Sequence, residues 1–165
     1  MDIETPSDIS RRYAPQDDRP LGSFLGLMAA YGTAVAGAAA LVRRHGVRLP
    51  ERIELGDLAL VAVATHKVAR LLAKDPITSP LRAPFTRFAG TSGDAELKEE
   101  VRGTGPRKAV GELVTCPFCM SQWVATGFVF GLVVQPRLTR AVASVFSIVA
   151  ASDYLQHAYA QVQDL

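Results

Sequence analysis

Twenty-two consecutive residues, Leu21 to Val42, carry no charge, and arginines bound them at 19, 43 and 44. As a helix the run is about 33 Å long, enough to cross a hydrocarbon layer of about 30 Å. A helix of a water-soluble domain is apolar along one stripe, not on every face for six turns. The run therefore predicts a transmembrane helix, and the rest of the chain must fold in a way compatible with a bilayer. Gly22, Gly26, Ala30, Ala34 and Ala38 recur every four residues. They form a smooth ridge of the kind that lets a neighbouring helix approach closely in lipid.

Three further segments read as helices. Leu55 to Lys74 is apolar but interrupted by Asp57, His66, Lys67 and Arg70. His66, Lys67, Arg70 and Lys74 fall within about a third of the helical circumference, so they form one basic face. The helix spans if that face points into a bundle or its long side chains snorkel; it can also lie in the interface. We take it as a span. Val110 to Val134 is the third helical region, strongly apolar from Trp123 onward, with Gly127 and Gly131 at close-packing spacing. Gln135-Pro136-Arg137 is a turn, and Leu138 to Tyr159 is the fourth helix, antiparallel to the third. Asp153 and His157 are i,i+4 partners on it.

The polar segments lie between these. Residues 1–20 hold Pro6, Pro15, Pro20 and several acidic residues, read as a disordered tail with no cleavable signal peptide. Residues 43–54 form a basic connection. Residues 75–109 are the largest polar insertion. Pro76, Pro80 and Pro84 prevent a continuous helix at its start, and Glu96 to Arg102 is read as a short exposed helix. The net charge is +2, and the 18 Lys and Arg are scattered rather than striped, which argues against a nucleic-acid partner. No P-loop, zinc-protease motif, nucleophile elbow or catalytic triad is present, so the chain reads as more plausibly non-enzymatic.

Both cysteines and the single tryptophan fall in Thr115-Cys116-Pro117-Phe118-Cys119 and the residues up to Trp123. Pro117 suits a first helical turn, which places Cys116 near an N-cap, where helix dipole and free N–H groups favour a thiolate. Three chemistries follow. The first is thiol–disulfide exchange by Cys116 and Cys119. The motif resembles a glutaredoxin active site, but only 46 residues follow Cys119 and they read as two apolar helices. The second is metal binding: Cys116 and Cys119 supply half of a zinc site, to be completed by His66 or by a second chain. The third is structural, with reduced thiols packed as small apolar groups. Otherwise no cofactor is indicated. Glu112 precedes Cys116 by four residues and shares its face if one helix runs through both, with Arg70, Lys74, Arg107 and Lys108 as candidate partners for its carboxylate.

Two blocks carry a family resemblance. One runs from Asp57-Leu58-Ala59-Leu60 through Thr65-His66-Lys67-Val68-Ala69-Arg70 to Asp75-Pro76-Ile77-Thr78-Ser79-Pro80-Leu81-Arg82-Ala83-Pro84-Phe85. The other is Gly111-Glu112-Leu113-Val114-Thr115-Cys116-Pro117-Phe118-Cys119 with Gln122-Trp123-Val124-Ala125-Thr126. Together they resemble the bacterial DUF1360 family of small membrane proteins of unknown function, over roughly residues 54–160. The resemblance implies a bacterial membrane protein and supplies no reaction, substrate or cofactor.

The sequence thus predicts an all-α transmembrane bundle of about four helices with a polar loop between helices two and three. Its segments are a polar tail (1–20), a first transmembrane helix with its basic connection (21–53), a DUF1360-like membrane domain (54–160, with the 75–109 loop) and a short C-terminal tail (161–165). Arg70, Asp75, Arg82, Glu112, Cys116, Cys119 and Trp123 are the candidate site residues. The expected partners are the lipid bilayer and a protein or second copy docking on the Gly22/Gly26 or Gly127/Gly131 faces. Four spans put both termini on one side. Ten Lys and Arg there against six opposite place the termini and the cysteines in the cytoplasm of a bacterial inner membrane.

Overall fold

The computed structural model of the chain describes residues 5–163; the extreme ends of both expected tails, 1–4 and 164–165, lie outside the described residues. In chain order the elements are α1 (Pro6–Tyr13), α2 (Leu21–Arg44), α3 (Leu55–Lys74), a 3₁₀ turn (Pro76–Thr78), α4 (Ser79–Arg82), β1 (Thr86–Gly93), β2 (Glu96–Val101), α5 (Gly105–Thr115), α6 (Pro117–Val134) and α7 (Pro136–Gln163). They group into two compact units. The first comprises residues up to 36 and 72–116, the second 37–71 and 117 onward.

Seven α-helices and a hairpin among the described residues replace the expected bundle of about four helices. Three of the helices are long and apolar enough to cross a membrane: α2, α6 and α7, with mean hydropathy 1.7, 1.5 and 1.2. Most of α2 faces outward, with Leu25 at 65% and Met28 at 69% exposure. The charged α3 is not among the three, so the argument that four spans place both termini on one side does not carry over.

The first unit is built on local rules at three points. Thr5 and Asp8 form a capping box that starts α1 inside the expected tail. The Asp8 carboxyl is held below its ordinary value, chiefly by the Thr5 hydroxyl and then by Arg11. The chain breaks at Cys116, which is extended (φ −101°, ψ 107°) between α5 and α6. Pro117 causes the break, because its ring disfavours helical backbone at the residue before it. Glu112 and Cys116 therefore lie on no common helix. Finally, Glu96 to Val101 is a strand rather than the expected short helix. It pairs antiparallel with β1 in the register Thr86↔Val101, Arg87↔Glu100, Phe88↔Glu99. The ladder overrides the helix propensity of Glu-Leu-Lys-Glu-Glu by satisfying the backbone groups that a helix would otherwise satisfy.

Helix α5 packs on this hairpin through Gly111. A Cβ there would lie 2.5 Å from Val101 Cγ1 and 3.1 Å from Phe85 O. In the second unit, Val61 and Ala64 of α3, Leu132 of α6 and Ala143 of α7 form the core, flanked by Ile53, Leu60, Phe128 and Phe146. Gly131 permits the close α6–α7 approach: a Cβ there would meet Thr139 Oγ1 at 2.6 Å. The chain's own α7 thus packs at the Gly131 position. Gly127, Gly22 and Gly26 have no atom within 4 Å of a Cβ position.

The packing predicts that Gly111→Ala lowers the stability of the detergent-solubilised chain by about 1–3 kcal/mol. Gly127→Ala should be neutral or stabilising, because its Cβ meets open space and alanine is the better helix former. Thermal unfolding of the two variants checks this, and an unchanged midpoint for Gly111→Ala contradicts the close α5–β2 contact.

Candidate functional site

The most highly organised polar centre lies in the first unit, around Arg82. Its side chain is 1% exposed and that of Glu99 is 6% exposed. Arg82 Nε donates to Glu99 Oε2. Arg82 Nη1 donates to Leu72 O at 2.8 Å and to Thr78 Oγ1 at 2.6 Å, and Nη2 donates to Asp75 O at 3.1 Å. Thr86 Oγ1 lies 3.1 Å from Glu99 Oε1 and 3.0 Å from Arg82 O.

Elementary chemistry explains the arrangement. The last four carbonyls of a helix have no partner within it, and a cation is favoured beside them. Leu72 O is one of these carbonyls in α3. Asp75 ends the helix ahead of Pro76 and caps the following turn, accepting from Ile77 N at 2.9 Å. The turn leads into α4, whose last residue is Arg82, so its guanidinium returns to the helix end. Burial of that charge requires a counter-charge, which Glu99 of β2 provides.

Neighbouring cations hold the backbone around Pro84, where no regular ladder is possible. Arg102 Nη2 donates to Ala83 O at 2.9 Å, Arg107 to Pro84 O at 3.0 and 2.6 Å, and Arg102 N to Phe85 O at 2.9 Å. This reassigns the candidate partners of Glu112. Arg107 is bound to Pro84 O, Lys108 pairs with Asp18 at 3.9 Å, and Glu112 pairs with Arg19 at 3.1 Å. Arg19 also lies over the Phe24 ring, 5.2 Å from its centroid. The segment entering α2 is thereby tied to α5.

Of the predicted site residues, the structure joins Arg82 with the backbone of Asp75. Glu112 belongs to the same unit but to the separate Arg19 contact. Arg70 and Trp123, both half-buried, lie in the second unit. Cys116 is half-buried at the helix break, and Cys119 is exposed in the first turn of α6. Among the described residues no group of three or more His, Cys, Asp and Glu comes together as a metal site. In the second unit His66 stacks on Tyr154, with Nε2 3.3 Å from the phenol oxygen. Asp153, expected to pair with His157, accepts from Lys67 Nζ at 2.6 Å. Asp57 accepts from Arg140 at 2.8 and 2.7 Å.

Sequence reading missed Glu99, Thr78, Thr86 and Arg19. One signal for Glu99 was present: read as a strand, Leu97, Glu99 and Val101 share a face, which places a carboxylate between two apolar side chains.

Removing one partner of a buried pair leaves an uncompensated charge. Arg82→Met should therefore cost about 3–5 kcal/mol, and the Arg82→Met/Glu99→Leu double substitution should recover much of it. Arg82→Lys should fall between, having three donors and no planar fork. Denaturant unfolding of the full chain in detergent checks the series; a near-neutral Arg82→Met contradicts the burial described.

The chain is similar to sporulation protein YjcA of Bacillus subtilis (strain 168), with 32% identity over 83 residues, covering 48% of this chain and 70% of that protein. No solved structure matches it. The family model described as a protein of unknown function (DUF1360) matches residues 60–159, which take in most of α3, the Arg82 centre, the hairpin and the Cys-Pro-Phe-Cys break. By that match the chain belongs to the DUF1360 family.

Proposed function

We propose that the chain is a multi-pass component of a bacterial membrane that carries out no reaction of its own. On this reading the Arg82-clamped hairpin module docks a protein partner, and Cys116 and Cys119 are structural thiols. The observation that carries the reading is the use made of the charged residues in the polar insertion. Arg82, Glu99, Arg102 and Arg107 all hold the module's own backbone or each other. The hairpin they fix presents Phe88, 68% exposed, and the outward Arg87–Glu100 pair at 2.9 Å. A rigid support with exposed aromatic and charged groups suits recognition. The three apolar helices support the membrane setting. The name of the similar Bacillus protein supports a role in a bacterial cellular process. A cytoplasmic position for the hairpin and the cysteines is part of this proposal, on the seven Lys and Arg between residues 74 and 108.

A second reading keeps Cys116 and Cys119 as a redox or zinc-binding pair. It is favoured by their positions immediately before and within the first turn of α6, where a helix start stabilises thiolate.

One preparation separates the readings. Membranes of cells expressing the full chain are washed with alkaline carbonate, and the detergent-purified protein is assayed for zinc and for alkylation rate at neutral pH. The proposal expects retention in the membrane, no stoichiometric zinc and thiols that react no faster than an ordinary cysteine. Release by carbonate contradicts the membrane setting. Stoichiometric zinc or accelerated alkylation contradicts structural cysteines and supports the second reading.

A further inference from the structure

An open groove of about 460 Å³ runs along the second unit. Val68, Val124, Phe128, Leu138, Val142 and Phe146 line it, and Gly127 leaves a gap in its wall. Its volume falls within the range of ligand sites, about 300–1,000 Å³. The lining offers almost nothing to a polar occupant. Its hydroxyl group, on Thr139, donates to Gln135 O at 2.9 Å. Along α6 the groove extends from Val124 to Gly131, about 10 Å. Both α6 and α7 are apolar enough to cross a membrane, so the occupant that matches this lining is a hydrocarbon chain.

Charge identifies the rest of the molecule. The groove ends at Leu138 and Thr139, where α7 begins and Arg140 binds Asp57 of α3. The segments at this end, residues 43–54 from the end of α2 to α3 and the first turn of α7, are rich in arginine. With Arg140 they supply Arg43, Arg44, Arg48, Arg52 and Arg137, against the carboxylates Glu51, Glu54 and Asp57. Arg137, next to the lining residue Leu138, is exposed. The geometry points to a binding site for an anionic phospholipid, with one acyl chain in the groove and the phosphate at the arginine-rich end. This inference rests on the membrane reading above.

Trp123 is the chain's single tryptophan and precedes the lining residue Val124. It therefore reports on an acyl chain that fills the groove. The experiment reconstitutes the full chain in vesicles of phosphatidylcholine with brominated phosphatidylglycerol or brominated phosphatidylcholine, the bromines near the chain ends. Quenching of Trp123 gives the relative association of the two lipids. Phosphatidylglycerol should be preferred about fivefold or more, the effect of one or more cations near a membrane surface. Gly127→Leu, which fills the groove from a position with open space, should remove that preference. Arg137→Gln should reduce it about fivefold or to parity. Equal quenching by both lipids in the unsubstituted chain overturns the proposal, as does a preference that survives Gly127→Leu undiminished. Quenching by neither lipid contradicts the membrane reading itself, and this inference with it.

Discussion

The buried guanidinium of Arg82 is the contact on which the first unit depends. Moving a charge out of water is costly, and the cost is offset only if its donors meet acceptors and its charge meets an opposite one. Leu72 O, Asp75 O, Thr78 Oγ1 and Glu99 meet those conditions together. They come from the end of α3, the turn after it and the second strand of the hairpin. One side chain thus joins a helix terminus, a proline-bounded turn and a sheet. Gly111 then lets α5 close over Val101.

The second unit solves a related problem with two ion pairs. Asp57–Arg140 and Lys67–Asp153 join α3 to α7 at two levels. The levels are ten residues apart on α3 and thirteen on α7, about 15 and 20 Å. The buried Val61, Ala64 and Ala143 lie between them. That separation is shorter than the roughly 30 Å hydrocarbon layer, so if α7 spans, at least one pair sits below the interface. Each charge would then enter lipid with its partner already bound, the arrangement in which intramembrane ionisable groups are tolerated. The pairing also explains how a helix as charged as α3 can sit beside an apolar one.

What could be read from the sequence follows from the range of the interactions involved. The presence of α2, α6 and α7 was legible because an apolar run and its proline or arginine boundaries are local signals. Pro117 likewise marked the start of α6 and placed Cys116 just before it. The break it imposes on the preceding helix follows from the same residue, but the apolar pattern continuing across it concealed the division. The hairpin was hidden for two reasons. Glu96 to Glu100 consists largely of good helix formers, and the turn carries Ala95 at φ 57°, where glycine or asparagine would have been the usual sign. Charged residues were legible as types but not as partners. Arg19–Glu112, Arg140–Asp57 and Lys67–Asp153 join residues more than eighty positions apart.

Hydrogen–deuterium exchange of the full chain in lipid nanodiscs tests most directly whether a clamped hairpin module accompanies membrane-embedded helices. The account predicts strong protection across α2, α6 and α7. It also predicts that amides of Glu96–Val101 are protected and open together with those of residues 72–82, as one cooperative unit held by Arg82. Exchange of Glu96–Val101 at the rate of an unstructured chain, or independently of residues 72–82, would contradict it.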